Sequence, residues 1–583
     1  MISAMNFIIN FISLLILFFL QTIIFIGIGK FIYSFPRDFY DNSCIRISTA
    51  YFIGLLFYIS IISIIFLLFN NFSYSICSTT LLFLLLLSFR WQLFNFSKIN
   101  IYLILFLILI LFLLIFRSTS FFPSDYFADL RAVNPFSGFG AVVHSFRAAN
   151  ISEHILFSNS IPVLNQNIGQ SLLASSMYLY SHVGLQAILV FQLSFCMSFM
   201  ILLFYGHYIK FITVNNLNFS NLFFCFFIFG SPSLSFFYSS VLDTESIIFL
   251  ISNVDTVIGL SLFLIFLGHI YSTRSEKISL GNCFFILLNG FFWNIIASQN
   301  VIIMMFLLLF MFFSVHQFHF SRIKILQIIF IFTLSSLIGS QVLGGFLKMG
   351  YINHSIPGLM SVSTNASSHP LVEFRIPRLS EAGSSTYLKF KYFLTTYLDE
   401  ERSDISSHIS TDAAKTISVD NKSSFYVYFG KTLLSIKLLF YPISAICFIY
   451  FLRRASSSRI SSFPYLTRLV HSDYFLFIYH SSVFLFVVGS IISSCFIFRG
   501  YTFELSKFLS IGLFFMMFIV SLLANGLLSV LSKTKIYATL AILLLPSFLE
   551  VFVVRTFYPL FSSSFFESLQ LLFSLSGTFG LNR

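Results

Sequence analysis

Charge is what this 583-residue chain has least of. Its 33 Lys and Arg and 21 Asp and Glu make up 9% of the sequence, against roughly a quarter in an average soluble domain. So little charge cannot cover a water-exposed surface, and the composition excludes a soluble globular enzyme. Cysteine is also sparse. The seven residues include no CxxC pair, and none falls in the two longest polar stretches, which argues against a cysteine-built zinc site and against a disulfide framework. The net charge of +12 comes without an arginine-rich tract or a base-stacking module, so no nucleic acid is expected as a partner. Soluble-enzyme motifs are missing as well. Gly430-Lys-Thr has Phe425 where a phosphate loop needs its first glycine, Gly138-Phe-Gly lacks the third glycine of a dinucleotide site, and no HExxH or GxSxG occurs.

What the chain has is apolar runs. Hydrophobic residues are 57% of it and its mean hydropathy is +0.92. A helix needs about 20 apolar residues to cross a hydrocarbon core about 30 Å thick. By that measure residues 7–29, 50–69, 76–89, 101–116, 184–205, 221–240, 247–271, 283–297, 301–315, 325–347, 432–452, 474–497, 508–531 and 536–554 read as spans. The fold class is therefore all-α, a polytopic membrane protein with about 14 transmembrane helices. Its segments are four N-terminal spans in 1–116, a first long loop in 117–183, spans five to ten in 184–347, a second long loop in 348–430 and the C-terminal spans in 431–583.

Basic residues set the orientation. The N-terminus carries no positive charge, whereas Lys30, Arg37 and Arg46 follow the first span, which reads as a retained helix with its N-terminus outside. On that reading Arg90, Lys98, Lys210, Arg274, Lys277, Arg322, Lys324, Arg453, Arg454, Arg459, Arg468, Lys533 and Lys535 all fall inside, and the turns around Asn71, Asp255 and Gln299 carry none. The outer turn with Arg499 and Lys507 is the exception. Both long loops then face outward, beyond a bacterial inner membrane or a plasma membrane.

The two loops differ in kind. In the first, Phe139, Val142, Val143 and Phe146 recur at helical spacing with His144 and Arg147 opposite, a pattern for an amphipathic helix lying on the membrane. Leu172, Leu173, Met177 and Tyr180 predict a second surface helix leading into the fifth span. The second loop is rich in Ser and Thr, has too few apolar residues for a core of its own, and reads as a partly ordered cap.

Acidic residues gather at the outer edge: Asp125 and Asp129 after the fourth span, Glu153 beyond the amphipathic stretch, Asp243 and Glu245 after the sixth, and Asp255 at the start of the seventh. A carboxylate held where bilayer meets water is partly desolvated and suits a general base, and a divalent cation is compatible with such a group, though no cofactor is certain. The bland alternative for Asp255 is a helix N-cap. His144 and Arg147, at i and i+3, share a helix face that suits a phosphate or pyrophosphate, or simply a lipid headgroup. Asn289, Asn294, Gln299 and Asn300 surround the turn beside Trp293, where they either line an outward cavity or bond neighbouring helices.

The run Gly140-Ala-Val-Val-His-Ser-Phe-Arg-Ala-Ala-Asn-Ile, followed by Ile161-Pro-Val-Leu-Asn-Gln-Asn, resembles the first outer loop of the GT-C superfamily of multi-spanning membrane glycosyltransferases, and Ser252-Asn-Val-Asp-Thr is similar to a second feature of that family. The resemblance implies transfer of a sugar from a polyprenyl-phosphate donor to a glycan or lipid acceptor on the outer face of the cell envelope, with a loop carboxylate as base. Gly140 stands where the family has an acid before the histidine, so Asp125 or Asp129 would take that role. His144 and Arg147 would contact phosphate, and Asp243, Glu245 and Asp255 would form a second wall. The alternatives are a transporter or flippase of lipid-linked saccharides, for which no internal repeat is visible, and a polysaccharide polymerase or ligase.

Overall fold

The computed structural model describes residues 2–33, 42–69, 71–89, 169–181, 185–211, 254–274, 278–318, 320–343, 372–374, 469, 472–498 and, apart from 513 and 517, 511–523. The predicted spans 101–116, 221–240, 432–452 and 536–554 lie outside the described residues, as does most of both long loops.

Helices dominate. They are α1 (Ile2–Ile32), α2 (Ser43–Phe69), α3 (Phe72–Phe89), α4 (Gly169–Ser181), α5 (Leu185–Phe211), α6 (Val254–Ser272), α7 (Leu280–Ile296), α8 (Ser298–Phe313), the single turn α9 (Val315–Phe318), α10 (Arg322–Leu343) and α11 (Asp473–Cys495). One short antiparallel ladder joins β1 (Val372–Phe374) to β2 (Phe496–Phe498), with Glu373 opposite Ile497. The chain is an all-α membrane protein in its main architecture. Four helices, α1, α2, α5 and α10, contain stretches long and apolar enough to cross a bilayer: Ile9–Ile32, Ser43–Phe66, Phe191–Phe211 and Arg322–Ser340.

Local chemistry explains why apolar helices tolerate so many hydroxyls. Ser60, Ser63, Thr79, Ser198, Ser261 and Ser482 each donate to the carbonyl four residues back, so no hydroxyl of this set is left unmet inside the bundle. Helix starts are capped in the ordinary way. Asn42 Oδ1 accepts from the Cys44 amide at 2.8 Å, Asn71 Oδ1 from Tyr74 at 3.0 Å and Ser279 Oγ from Asn282 at 3.2 Å.

Helices α2 and α5 form the centre, with 78% and 83% of their spans buried, while α1 and α10 flank them at 39% and 44%. The flanking helices turn large apolar side chains outward at spacings of three and four: Ile9, Ile12, Ile16, Phe19 and Ile23 on α1, and Ile323, Leu326, Phe330, Leu334 and Leu337 on α10. A soluble monomer rarely exposes continuous stripes of this kind, and lipid suits them. Between α1 and α2 the backbones nearly touch. A Cβ on Gly29 would strike the Ala50 carbonyl and one on Gly54 the Phe25 carbonyl, an antiparallel crossing that only small residues permit. Helices α7 and α10 run parallel through a similar contact. A Cβ on Gly290 would meet Ser335, and one on Gly339 the Phe291 carbonyl.

The expected surface helix over Leu172–Tyr180 is corrected by the packing of α4. Leu172, Leu173, Ala174, Ser175, Ser176 and Met177 are all buried, and α4 packs against α1, α2, α5, α6 and α7. The spacing of its large apolar residues suggested one oily face. The opposite face carries Ala174, Ser175 and Ser176, small enough to bury as well, so the helix lies inside the bundle instead of along its surface.

Candidate functional site

The predicted inner ends of the helices do share one end of the bundle. At the end of α1 the Tyr33 hydroxyl meets Nδ1 of His269 in α6 at 2.5 Å. Asn42, before α2, donates to the Gly206 carbonyl of α5 at 3.3 Å. Tyr474 of α11 meets Nδ1 of His207 in α5 at 3.0 Å, and Lys324 of α10 donates to the Thr273 carbonyl at the end of α6. Arg274 Nη2 lies 3.4 Å from Asp473 Oδ2, with its guanidinium 4.0 Å above the Tyr271 ring. Lys210 lies 5.5 Å from the Tyr474 ring. Thus α1, α2, α5, α6, α10 and α11 are bound together by side chains at a single, basic end, and Lys324 also offsets the negative pole of α6.

This network was missed in the sequence, where attention to sign of charge passed over Tyr33, His207 and His269. One signal was present: each histidine stands in the last turns of an apolar run just ahead of a basic residue, Lys210 or Arg274. The partners are separated by 236 and 267 residues, and no local pattern pairs them.

The opposite end holds what the sequence singled out, as far as it is described. Asp125, Asp129, His144, Arg147, Asp243 and Glu245 lie outside the described residues, as does Glu153. Asp255 is the second residue of α6, inside the helix and not ahead of it as an N-cap would be. One turn further on, Gly259 packs against Ala297 and Asn300, and the Asn300 amide donates to the Gly259 carbonyl at 2.7 Å. Positions 255 and 259 share a face of α6. Gly169, at the start of α4, meets Ile296 and the Ile295 carbonyl. The C-terminal part of the first loop and the helix that carries Asp255 in its first turn therefore meet at the α7–α8 turn.

That turn consists of Ala297 alone, fully buried. At about 1.5 Å per residue α7 and α8 are about 25 Å long, and α2 and α5 about 40 Å. Two of the asparagines at the turn bond helices together, Asn294 donating to the Ser336 carbonyl of α10 at 3.0 Å and Asn300 to the Gly259 carbonyl of α6, while Asn289 accepts from Trp293 Nε1 at 2.9 Å within α7. Of the two readings offered for this asparagine cluster, helix bonding accounts for these contacts. The side chain of Gln299 is outside the described set. Among the described residues no three His, Cys, Asp or Glu gather as metal ligands.

No family model, curated protein or solved structure matches the chain.

Proposed function

We propose that the chain is a membrane glycosyltransferase of GT-C type that transfers a sugar from a polyprenyl-phosphate donor on the outer face of a bacterial inner or plasma membrane, with about 14 spans and both long loops outside. The supporting observation is the meeting of α4, α6 and the α7–α8 turn at one end of the bundle. It brings the end of the first loop beside the helix of Asp255, which the resemblance puts in one site. In this reading Asp125 or Asp129 removes the proton of an acceptor hydroxyl, the hydroxyl oxygen bonds to the anomeric carbon, and the polyprenyl phosphate leaves with the electron pair of the broken C–O bond. His144 and Arg147 hold that phosphate. Asp243, Glu245 and Asp255 line the facing wall, and a divalent cation, if held by Asp125 or Asp129, would supply positive charge for the leaving phosphate.

The test is the double variant Asp125→Asn with Asp129→Asn in proteoliposomes carrying a polyprenyl-phosphate sugar. Transfer should be abolished while the unfolding temperature stays at the wild-type value; full transfer by the double variant removes the assignment. One observation favours a second reading, a transporter of lipid-linked saccharides: short helices whose connecting turn is buried are a transporter device. Movement of the intact lipid-linked sugar across the bilayer without cleavage would select it.

A further inference from the structure

Two amide oxygens are left over at the α7–α8 turn. Asn294 and Asn300 are 0% and 1% exposed. The NH2 group of Asn294 faces the carbonyls of Gly290, Phe291 and Ser336, and that of Asn300 faces the carbonyl of Gly259. These partners can only accept, so neither carboxamide can be turned round, and both Oδ1 atoms are committed to positions where no donor among the described residues meets them. A buried acceptor left in that state is strongly unfavourable in a membrane interior.

The two residues stand symmetrically about Ala297, three before it and three after. In an antiparallel helical hairpin equal distance from the apex means equal depth. The last turn of α7 ends here too. Trp293 O is taken by the Ala297 amide at 2.8 Å, and the carbonyls that follow form the negative pole of the helix. The acceptors left over here are all oxygens, and Asn294 and Asn300 bring no charge. An anion is repelled by such acceptors. A divalent ion keeps its hydration shell unless carboxylates replace it. A singly charged ion loses its water far more readily.

We propose that the α7–α8 turn binds an alkali cation, with Asn294 Oδ1, Asn300 Oδ1 and last-turn carbonyls of α7 as its oxygen ligands. The ion screens the negative pole of α7 where the turn is shut off from solvent, and it clamps a hairpin that α6 holds through Asn300 and α10 through Asn294. The site does not depend on sugar transfer and stands whether or not that reading holds.

The chain has two tryptophans, and Trp293 is next to Asn294. Trp91→Phe therefore leaves a single reporter at the turn. The full-length protein in lipid nanodiscs is titrated with NaCl or KCl against choline chloride at constant ionic strength. Trp293 emission should change with saturation, and the unfolding temperature should rise, in sodium or potassium but not in choline. Asn294→Leu, close in size but without the oxygen, should abolish both responses. Should that variant fail to fold, the parent protein decides by selectivity: sodium and potassium should saturate the response at different concentrations, because fixed oxygens distinguish ions by size while general screening does not. Identical emission and stability in all three salts, or responses to sodium and potassium that coincide, would mean that only a water fills the turn, and the proposal falls.

Discussion

The two ends of the bundle are held in different ways. At the basic end six helices are joined by reaching side chains, Tyr33 to His269, Asn42 to Gly206, Tyr474 to His207, Lys324 to Thr273 and Arg274 to Asp473. Toward the other end α7 and α10 press backbone on backbone at Gly290 and Gly339, as α1 and α2 do at Gly29 and Gly54, and short asparagines bond directly to main-chain carbonyls. A side-chain contact can be lost singly while its helices stay where they are. A backbone contact cannot admit even one carbon without parting the helices. The Gly339 contact should accordingly be less forgiving than any of the side-chain ties at the basic end.

The sharpest way to break this comparison is Gly339→Leu. Its Cβ would run into the Phe291 carbonyl and the Asn294 amide, and the loss should be about 3 kcal/mol or more, enough to prevent recovery of a folded monomer in detergent. A wild-type elution profile and unfolding temperature would show that α7 and α10 have room to spare. Next comes His269→Ala, which removes the imidazole that the Tyr33 hydroxyl meets and empties a slot beside Phe285, whose ring is 4.5 Å from the imidazole. The expected cost is about 2–3 kcal/mol by denaturant or thermal unfolding. Tyr33→Phe keeps the ring and removes only the bond, for about 1 kcal/mol. Equal effects from these two would mean the histidine contributes no packing. The smallest effect belongs to Asp473→Asn. The carboxylate side chain is 54% exposed, and an ion pair that wet should contribute no more than about 0.5 kcal/mol. A larger loss there would mean the basic end relies on charge more than on its buried tyrosines.

Much of the helical framework was legible because hydropathy acts locally. Runs read at 7–29, 50–69 and 184–205 appear as α1, α2 and α5, lengthened by further turns at both ends of α1, at the start of α2 and at the end of α5. The paired runs 283–297 and 301–315 appear as α7 and α8, but the depth of their shared turn was invisible, since it depends on what covers Ala297. Burial of α4 was illegible for a related reason. Ser175 and Ser176 look like a wet face until five helices surround them. Lys210, Arg274 and Lys324, which the alternation of positive charge puts on one side, do lie at one end of the bundle. Of the candidate site, Asp255 alone falls within a described helix. Its first-turn position in α6 lies two residues past the cap position expected for it, a shift that hydropathy does not resolve.

The Tyr33–His269 bond has a consequence in time. Its partners are 236 residues apart, and a ribosome adds roughly 5–20 residues per second. Helix α1 therefore enters the bilayer roughly 10–50 s before the imidazole that its tyrosine will meet has been made. Through that interval Tyr33 stays near the headgroups, where water can serve its hydroxyl. The first helix thus waits at the membrane edge for a partner synthesised almost half a chain later.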